Sequence, residues 1–191
     1  MQDGLLGRLA NTAVVIAVAV MLGAAPGLAD AQKSSSPGGA ARTITWEELV
    51  PKDWDPTKGF RDRDPSQIRE GSAQEQDLMR ALRDAWDNAP TRQELAGARV
   101  RLPGYVVPLD MAQGKVKEFL LVPYFGACIH TPPPPANQIV HVTLKEPATL
   151  RTMDAVWASG TFSTRRQDSP MGVSGYSMAA ELVEPYRETP R

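Results

Sequence analysis

The chain has 191 residues, a formal net charge of −1 and 42% hydrophobic residues. This length is enough for one domain with a hydrophobic core. Residues 32–191 carry as many acidic as basic side chains, so no overall charge attracts the chain to nucleic acid or to an anionic lipid surface. We therefore expect no nucleic-acid partner.

The N-terminal residues have the three-part form of a secretory signal peptide. Arg8 supplies a weak positive region, an apolar run follows at 13–22, and Ala29-Asp30-Ala31 fits a signal peptidase site. The apolar run is shorter than the ~20 residues that a transmembrane helix needs. We therefore predict a signal peptide at 1–31, a periplasmic location, and no stable membrane insertion after cleavage.

The residues that follow the predicted signal peptide divide into a linker and one domain. Residues 32–44 are rich in Ser, Gly and other small residues, which predicts a flexible linker. The segment Thr45-Trp46-Glu47-Glu48 fits a capping box, in which a hydroxyl and a carboxylate satisfy free N–H groups of a first helical turn. We predict a single domain at 45–187 that begins with this helical turn.

A second capping box, Ser72-Ala73-Gln74-Glu75, precedes an apolar stripe. Leu78, Leu82 and Trp86 recur every four residues, as on one face of an amphipathic helix. We predict a helix at about 73–88 that packs against a core, which is the usual role of such a stripe.

From residue 97 onward the pattern changes to short strands. Five segments carry β-branched and aromatic residues with a period of two, between Gly and Pro turns: 98–109, 115–124, 137–144, 155–162 and 174–186. Pro103-Gly104 interrupts the first, as expected for the bent strand with which a small barrel turns a corner. We predict a mainly β fold with a flanking α-helix, as a small five-stranded antiparallel OB-like barrel.

The rarest side chains of the chain gather at 124–142, in the stretch YFGACIHTPPPPANQIVHV. It holds the only cysteine, Cys128, both histidines, His130 and His141, and four consecutive prolines. Thiolate and imidazole are good ligands for zinc and copper. These three residues predict a metal site if the proline loop brings its two ends together, although their spacing matches no standard zinc motif.

Three other interpretations of this stretch stay open. Cys128 could be a nucleophile beside a histidine base that Asn137 or Gln138 orients, although no local motif of a Cys enzyme is present. Cys128 could instead be a buried apolar residue, with the histidines bonded to backbone. Finally, the proline ridge could form a docking loop that loses little entropy on binding, made of Pro132, Pro133, Pro134, Pro135, Asn137 and Gln138.

The stretch VPYFGACIHTPPPPANQIVHV closely resembles the signature of bacterial exported proteins grouped as domain of unknown function 3299. The segments TWEELVP, LPGYVVPLD, EFLLVPY, VWASGTF and GYSMAAELVEPY are also similar to that family, so the resemblance covers about residues 43–187. Residue by residue it covers Cys128, His130, Pro132 to Pro135, Asn137 and Gln138. His141 is not carried over, because an aromatic residue would fit that place of the motif as well, and the chain lacks the lipobox cysteine of the lipoprotein members.

The resemblance implies an envelope protein for which no activity is established. Members are lipoproteins or periplasmic proteins that are linked with ABC transporters of the lipoprotein-release and macrolide-export type, and in some cases with zinc starvation. The leading hypothesis is therefore a non-enzymatic periplasmic accessory of an inner-membrane transport complex, with the 124–142 loop as its functional surface. The alternative is a zinc- or copper-binding protein that uses Cys128, His130 and His141.

Overall fold

The computed structural model describes residues 40–59, 61, 68–111 and 113–187. The predicted signal peptide lies outside these residues. One α-helix and eight strands make up the described fold, and their bounds are α1 Ala73–Asp87, β1 Arg42–Thr43, β2 Arg99–Pro108, β3 Val116–Val122, β4 Val140–Ala148, β5 Ala155–Ser163, β6 Gln167–Ser169, β7 Gly172–Ser174 and β8 Tyr176–Pro185. None of the helices in this part of the chain is long and apolar enough to cross a membrane.

Five of the strands close into a barrel. They are hydrogen-bonded in the order β2-β3-β4-β8-β5, and β5 pairs with β2 again to complete the ring. These five strands are the five that the sequence predicts, so the mainly β, OB-like fold with one helix is confirmed. One detail needs correction: the barrel is mixed, because β4 and β8 run parallel. Strand β5 and the β6–β7 hairpin lie between them in the chain, which provides the long crossover that parallel strands require.

Strand β2 bends so that it contacts two different neighbours. Its first half pairs with β5 from Arg99 to Tyr105, and its second half pairs with β3 from Tyr105 to Pro108. At the bend, a Cβ on Gly104 would lie 2.8 Å from Leu121 Cγ and from the Val122 carbonyl oxygen. Glycine therefore lets β3 approach β2 closely at the corner that Pro103-Gly104 predicts.

The core fills the barrel with alternate side chains from its strands. Along β2, Val100, Leu102 and Val106 point inward, and Phe119 and Leu121 do so along β3. The segment before the helix closes one part of the barrel, since Ile44 and Leu49 are also buried in this core. Residues at the end of the predicted linker are therefore part of the fold, and Arg42–Thr43 form the short parallel strand β1 against β2.

Helix α1 starts where the sequence predicts and ends one residue earlier. Ser72 Oγ accepts the Glu75 N–H at 3.2 Å, and the Glu75 carboxylate accepts the Gly71 N–H at 2.6 Å, which makes a slightly shifted capping box. No residue of the helix is fully buried. The predicted stripe of Leu78, Leu82 and Trp86 is only half-buried, so the helix packs on the periphery and contributes little to the core.

Candidate functional site

The connection between β3 and β4, residues 123–139, lies over the outside of the barrel. Phe119 and Leu121 of β3 face the core, so Leu120 and Val122 face outward. They form a second, smaller apolar cluster with Val107 of β2 and with two residues of the connection, Ala127 and Ile139. The chain's own loop therefore covers part of the barrel face that OB barrels commonly use to bind ligands.

The loop begins with a tight turn around one carbonyl group. The backbone N–H groups of Ile129, His130 and Thr131 all donate to the Gly126 carbonyl oxygen, at 3.3, 2.9 and 3.2 Å. Gly126 has a φ of 88° and Cys128 a φ of 64°. A left-handed conformation costs a non-glycine residue about 1–2 kcal/mol, so the hydrogen bonds of this turn and the packing around it must compensate for that strain.

Cys128 is half-buried and packs against the outer apolar cluster, together with Met153 and Met171. Burial raises the pKa of the Cys128 thiol to about 11, although Arg83 acts in the opposite direction. A catalytic cysteine needs the opposite shift, since the thiolate is the nucleophile. The burial and the raised pKa of this thiol thus favour a structural role for Cys128 over a role as a nucleophile.

The two histidines differ in exposure from each other, and neither shares the half-buried environment of Cys128. His130 is exposed beside Gly126. His141 pairs with Leu120 across β3 and β4, is 6% exposed, and places Nε2 3.4 Å from a Glu118 carboxylate oxygen. Within the described residues, no three His, Cys, Asp or Glu side chains are close enough to hold a metal. The predicted set of Cys128, His130 and His141 is therefore not assembled in this conformation.

The proline ridge is held by the rest of the molecule. Pro132 is exposed, Pro133 and Pro135 are half-buried, and Pro134 is buried. Gly172, at the tip of the β6–β7 hairpin, lies against Pro133, since a Cβ there would be 3.0 Å from Pro133 Cβ. Further along, the Gly175 N–H donates to the Ala136 carbonyl at 2.7 Å.

Asn137 and Gln138 fasten the far end of the loop to two distant segments. Asn137 is fully buried, and its Nδ2 donates to the Pro90 carbonyl at 3.1 Å, just after α1. Gln138 Nε2 donates to the Trp46 carbonyl at 2.9 Å, in the N-terminal helical turn. Both residues are predicted as members of a docking surface, but Asn137 and Pro134 have no surface to offer a partner here. Their observed contacts fix the loop.

The exposed large hydrophobic side chains of the loop lie before the prolines. Tyr124, Phe125 and Ile129 are 45%, 66% and 37% exposed, and Phe125 packs edge-on against Tyr105 with ring centroids 5.8 Å apart. No sequence pattern singles these residues out, because tertiary packing decides whether the two aromatic residues before Gly126 point into the core or into solvent.

Comparison with known proteins is consistent with this architecture. The family model described as a protein of unknown function (DUF3299) matches residues 46–185. A solved structure, the crystal structure of a DUF3299 family protein from Pseudomonas aeruginosa PAO1, is 37% identical with a TM-score of 0.61, and the match covers 80% of this chain and 100% of that chain. No curated protein shows a significant match. The chain thus belongs to the DUF3299 family, whose function is unknown.

Proposed function

We propose that the protein is a non-enzymatic accessory of an envelope transport system of the ABC type, and that the 124–142 loop contacts the inner-membrane transport complex. One observation supports this role above the others: three large hydrophobic side chains, Tyr124, Phe125 and Ile129, are exposed on a loop that is fastened at its far end. Exposed apolar clusters of this kind mark interaction sites, and aromatic residues are enriched in interfaces. The resemblance to envelope proteins linked with transporters supplies the class of partner.

Fixing the loop before binding favours association. A partner that binds a preformed loop does not have to order it, so less of the binding free energy is lost to entropy. Asn137, Gln138 and the contact of Pro133 with Gly172 provide that order within the free protein. The Cys128 side chain is half-buried, and the raised pKa of its thiol, about 11, disfavours a catalytic role.

Site-specific crosslinking in cells tests the proposed contact. A photo-crosslinking amino acid in place of Ile129 should form adducts with a subunit of an inner-membrane ABC complex, which mass spectrometry identifies. Met111 is a matched control, because it is 65% exposed and lies in the β2–β3 loop, outside 124–142. Adducts that are absent at position 129, or equally abundant at position 111, would contradict the proposal.

The periplasmic location has its own test. Cleavage after Ala31 would leave Gln32 as the first residue of the mature chain, which N-terminal sequencing of the protein purified from the native host identifies. A mature chain that still begins at Met1 would contradict the predicted cleavage.

Metal binding is a second candidate, and the surroundings of Cys128 favour copper(I) over zinc. The sulfur-bearing side chains of Met153 and Met171 pack against the same apolar cluster as Cys128. Thiolate and thioether ligands select copper(I), whereas the imidazoles of His130 and His141 are not gathered with the thiol. Native mass spectrometry after incubation with copper(I) or zinc distinguishes the two metals, and protein that takes up neither excludes this candidate.

A further inference from the structure

A cleft of about 280 Å³ opens on the surface beside the bend of β2. Three aromatic rings, from Trp46, Tyr105 and Tyr186, line it together with Pro103 and Pro123, and two small residues complete the lining. No charged side chain and no side-chain amide is among the lining residues. The cleft is therefore aromatic and uncharged, and its polar surface comes from backbone groups, the two tyrosine hydroxyl groups and the indole nitrogen.

The rings around this cleft are held in place before any ligand arrives. Trp46 Nε1 donates to the Pro103 carbonyl at 2.7 Å. In a strand, the N–H and C=O of one residue point to the same side. Pro103 has no N–H, so only its carbonyl needs a partner on that side, and the Trp46 indole supplies it. The backbone N–H of Tyr186 donates to the Ala155 carbonyl at 2.8 Å. The Tyr186 ring packs on the Trp157 ring, with centroids 5.4 Å apart. The indole N–H is already used, so the tyrosine hydroxyls remain to bind a ligand.

The chemistry of the lining narrows the class of ligand. Anionic ligands are commonly bound by cationic side chains, and sugar hydroxyls by charged or amide side chains beside a stacking ring. The lining has none of these side chains. A polyproline II segment needs an aromatic-lined groove and a few donors for its free carbonyl groups. Within the described residues, the hydroxyls of Tyr105 and Tyr186 make no hydrogen bond, so they can supply those donors.

We propose that this cleft binds an extended, proline-containing peptide segment of another protein in the polyproline II conformation. The rings of Trp46, Tyr105 and Tyr186 contact the proline rings, and the tyrosine hydroxyls donate to the peptide carbonyls. Such a segment is already extended before it binds, so it loses little conformational entropy. Peptide binding in the cleft does not depend on the proposed contact between the loop and a transport complex. Tyr186 also lies outside the 124–142 loop, so the two proposals are tested at different residues.

Titration of the purified protein with synthetic peptides tests this site. The probes are acetylated, amidated deca-proline, a Gly-Ser peptide of equal length, and a chito-oligosaccharide. Two-dimensional NMR spectra follow the backbone signals of Tyr105 and Tyr186 and the indole signal of Trp46. We expect saturable shifts of these signals with deca-proline, and no saturation with the other two probes.

Substitutions inside and outside the cleft test whether the peptide binds there. Tyr186→Ala should weaken deca-proline binding about tenfold, as expected for loss of an aromatic anchor, and Tyr186→Phe should weaken it less because the ring stays. Leu182→Ala is the matched control, since Leu182 is an exposed hydrophobic residue of the neighbouring strand β8 and lies outside the cleft. Tyr186 is itself exposed, so well-dispersed spectra should persist in all three variants.

Several results would overturn the assignment. These are absence of saturable binding, equal binding of the Gly-Ser peptide, shifts that map away from the cleft, or equal weakening by Leu182→Ala. Binding of the chito-oligosaccharide in place of deca-proline would also overturn it and would assign the cleft to a glycan. None of these results bears on crosslinking from position 129, so the role of the loop is judged separately.

Discussion

Cys128 combines a strained backbone conformation with a half-buried side chain. Its backbone has a φ of 64°, where glycine would be less strained, and its side chain packs into the outer apolar cluster. Burial raises the pKa of the thiol to about 11 from an ordinary value of 9.0. The packing and the raised pKa therefore both indicate a structural side chain rather than a reactive thiol.

This environment predicts that the Cys128 thiol reacts slowly with disulfide reagents. At pH 8 the shift from 9.0 to about 11 lowers the thiolate fraction roughly a hundredfold, and disulfide-exchange reagents react with the thiolate. Labelling of the native protein by an aromatic disulfide should therefore be about a hundredfold slower than labelling in denaturant, and it should accelerate as the pH rises towards 11. Equal rates in the native and denatured protein would contradict a buried thiol.

The same pKa shift predicts a pH-dependent stability. Because the pKa is higher in the folded than in the unfolded chain, the contribution of the protonated thiol is fully present below pH 9 and is lost as the pH rises through about 11. Urea unfolding from pH 8 to pH 11 should show a steeper loss of stability for the natural protein than for Cys128→Ala, which has no thiol to ionise. Parallel curves would show that burial does not perturb this group.

At the scale of single elements, the loop after β3 depends on the contacts that fasten its far end. Asn137 is fully buried and donates to Pro90, whereas Gln138 is half-buried and donates to Trp46. Asn137→Asp would place a carboxylate oxygen against the Pro90 carbonyl, so we expect a loss of about 3 kcal/mol or more in the free energy of unfolding. Gln138→Ala removes a less buried hydrogen bond and should cost about 1 kcal/mol.

Urea denaturation of both variants measures this difference, and hydrogen exchange reports where it acts. Exchange should accelerate in 124–139 and around Pro90 for Asn137→Asp, because the loop and the segment after α1 lose their connection. A loss for Asn137→Asp that is no larger than the loss for Gln138→Ala would show that the Asn137 contact does not hold the loop.

Helix α1 depends on its cap more than most helices, because none of its residues is fully buried. Ser72→Ala removes the acceptor for the Glu75 N–H and should destabilise the helix by about 1 kcal/mol. We expect faster amide exchange in the first turns of α1 and an almost unchanged midpoint of global unfolding. A large shift of the global midpoint would instead show that the helix is coupled to the barrel.

At the scale of the whole molecule, local patterns predict the elements but not all of their pairings. The period of two in the five strands, the bend at Pro103-Gly104 and the capping box at Ser72 are local properties, and the structure confirms each. The parallel pairing of β4 with β8 depends on where the chain returns after β5, which no local pattern encodes. The same limit applies to the loop, since the sequence pattern does not show that Asn137 is buried and donates to the Pro90 carbonyl.

One side chain joins three distant parts of the chain through the closed barrel. Tyr176, the first residue of β8, is fully buried and stacks on Phe162 with centroids 5.3 Å apart. Its hydroxyl donates to the Leu49 carbonyl at 2.6 Å and accepts the Arg92 N–H at 2.7 Å. The N-terminal turn, the segment after α1 and the barrel are thus linked through a single oxygen atom.

Tyr176→Phe removes that oxygen and keeps the ring in the core. The Leu49 carbonyl and the Arg92 N–H then lose a shared partner, so the free energy of unfolding should fall by about 1–3 kcal/mol. Tyr186→Phe is the matched control, because its hydroxyl is at the surface and its loss should change stability by less than about 0.5 kcal/mol. Urea denaturation at neutral pH compares the two, and equal losses would mean that the barrel and the N-terminal turn do not depend on this oxygen.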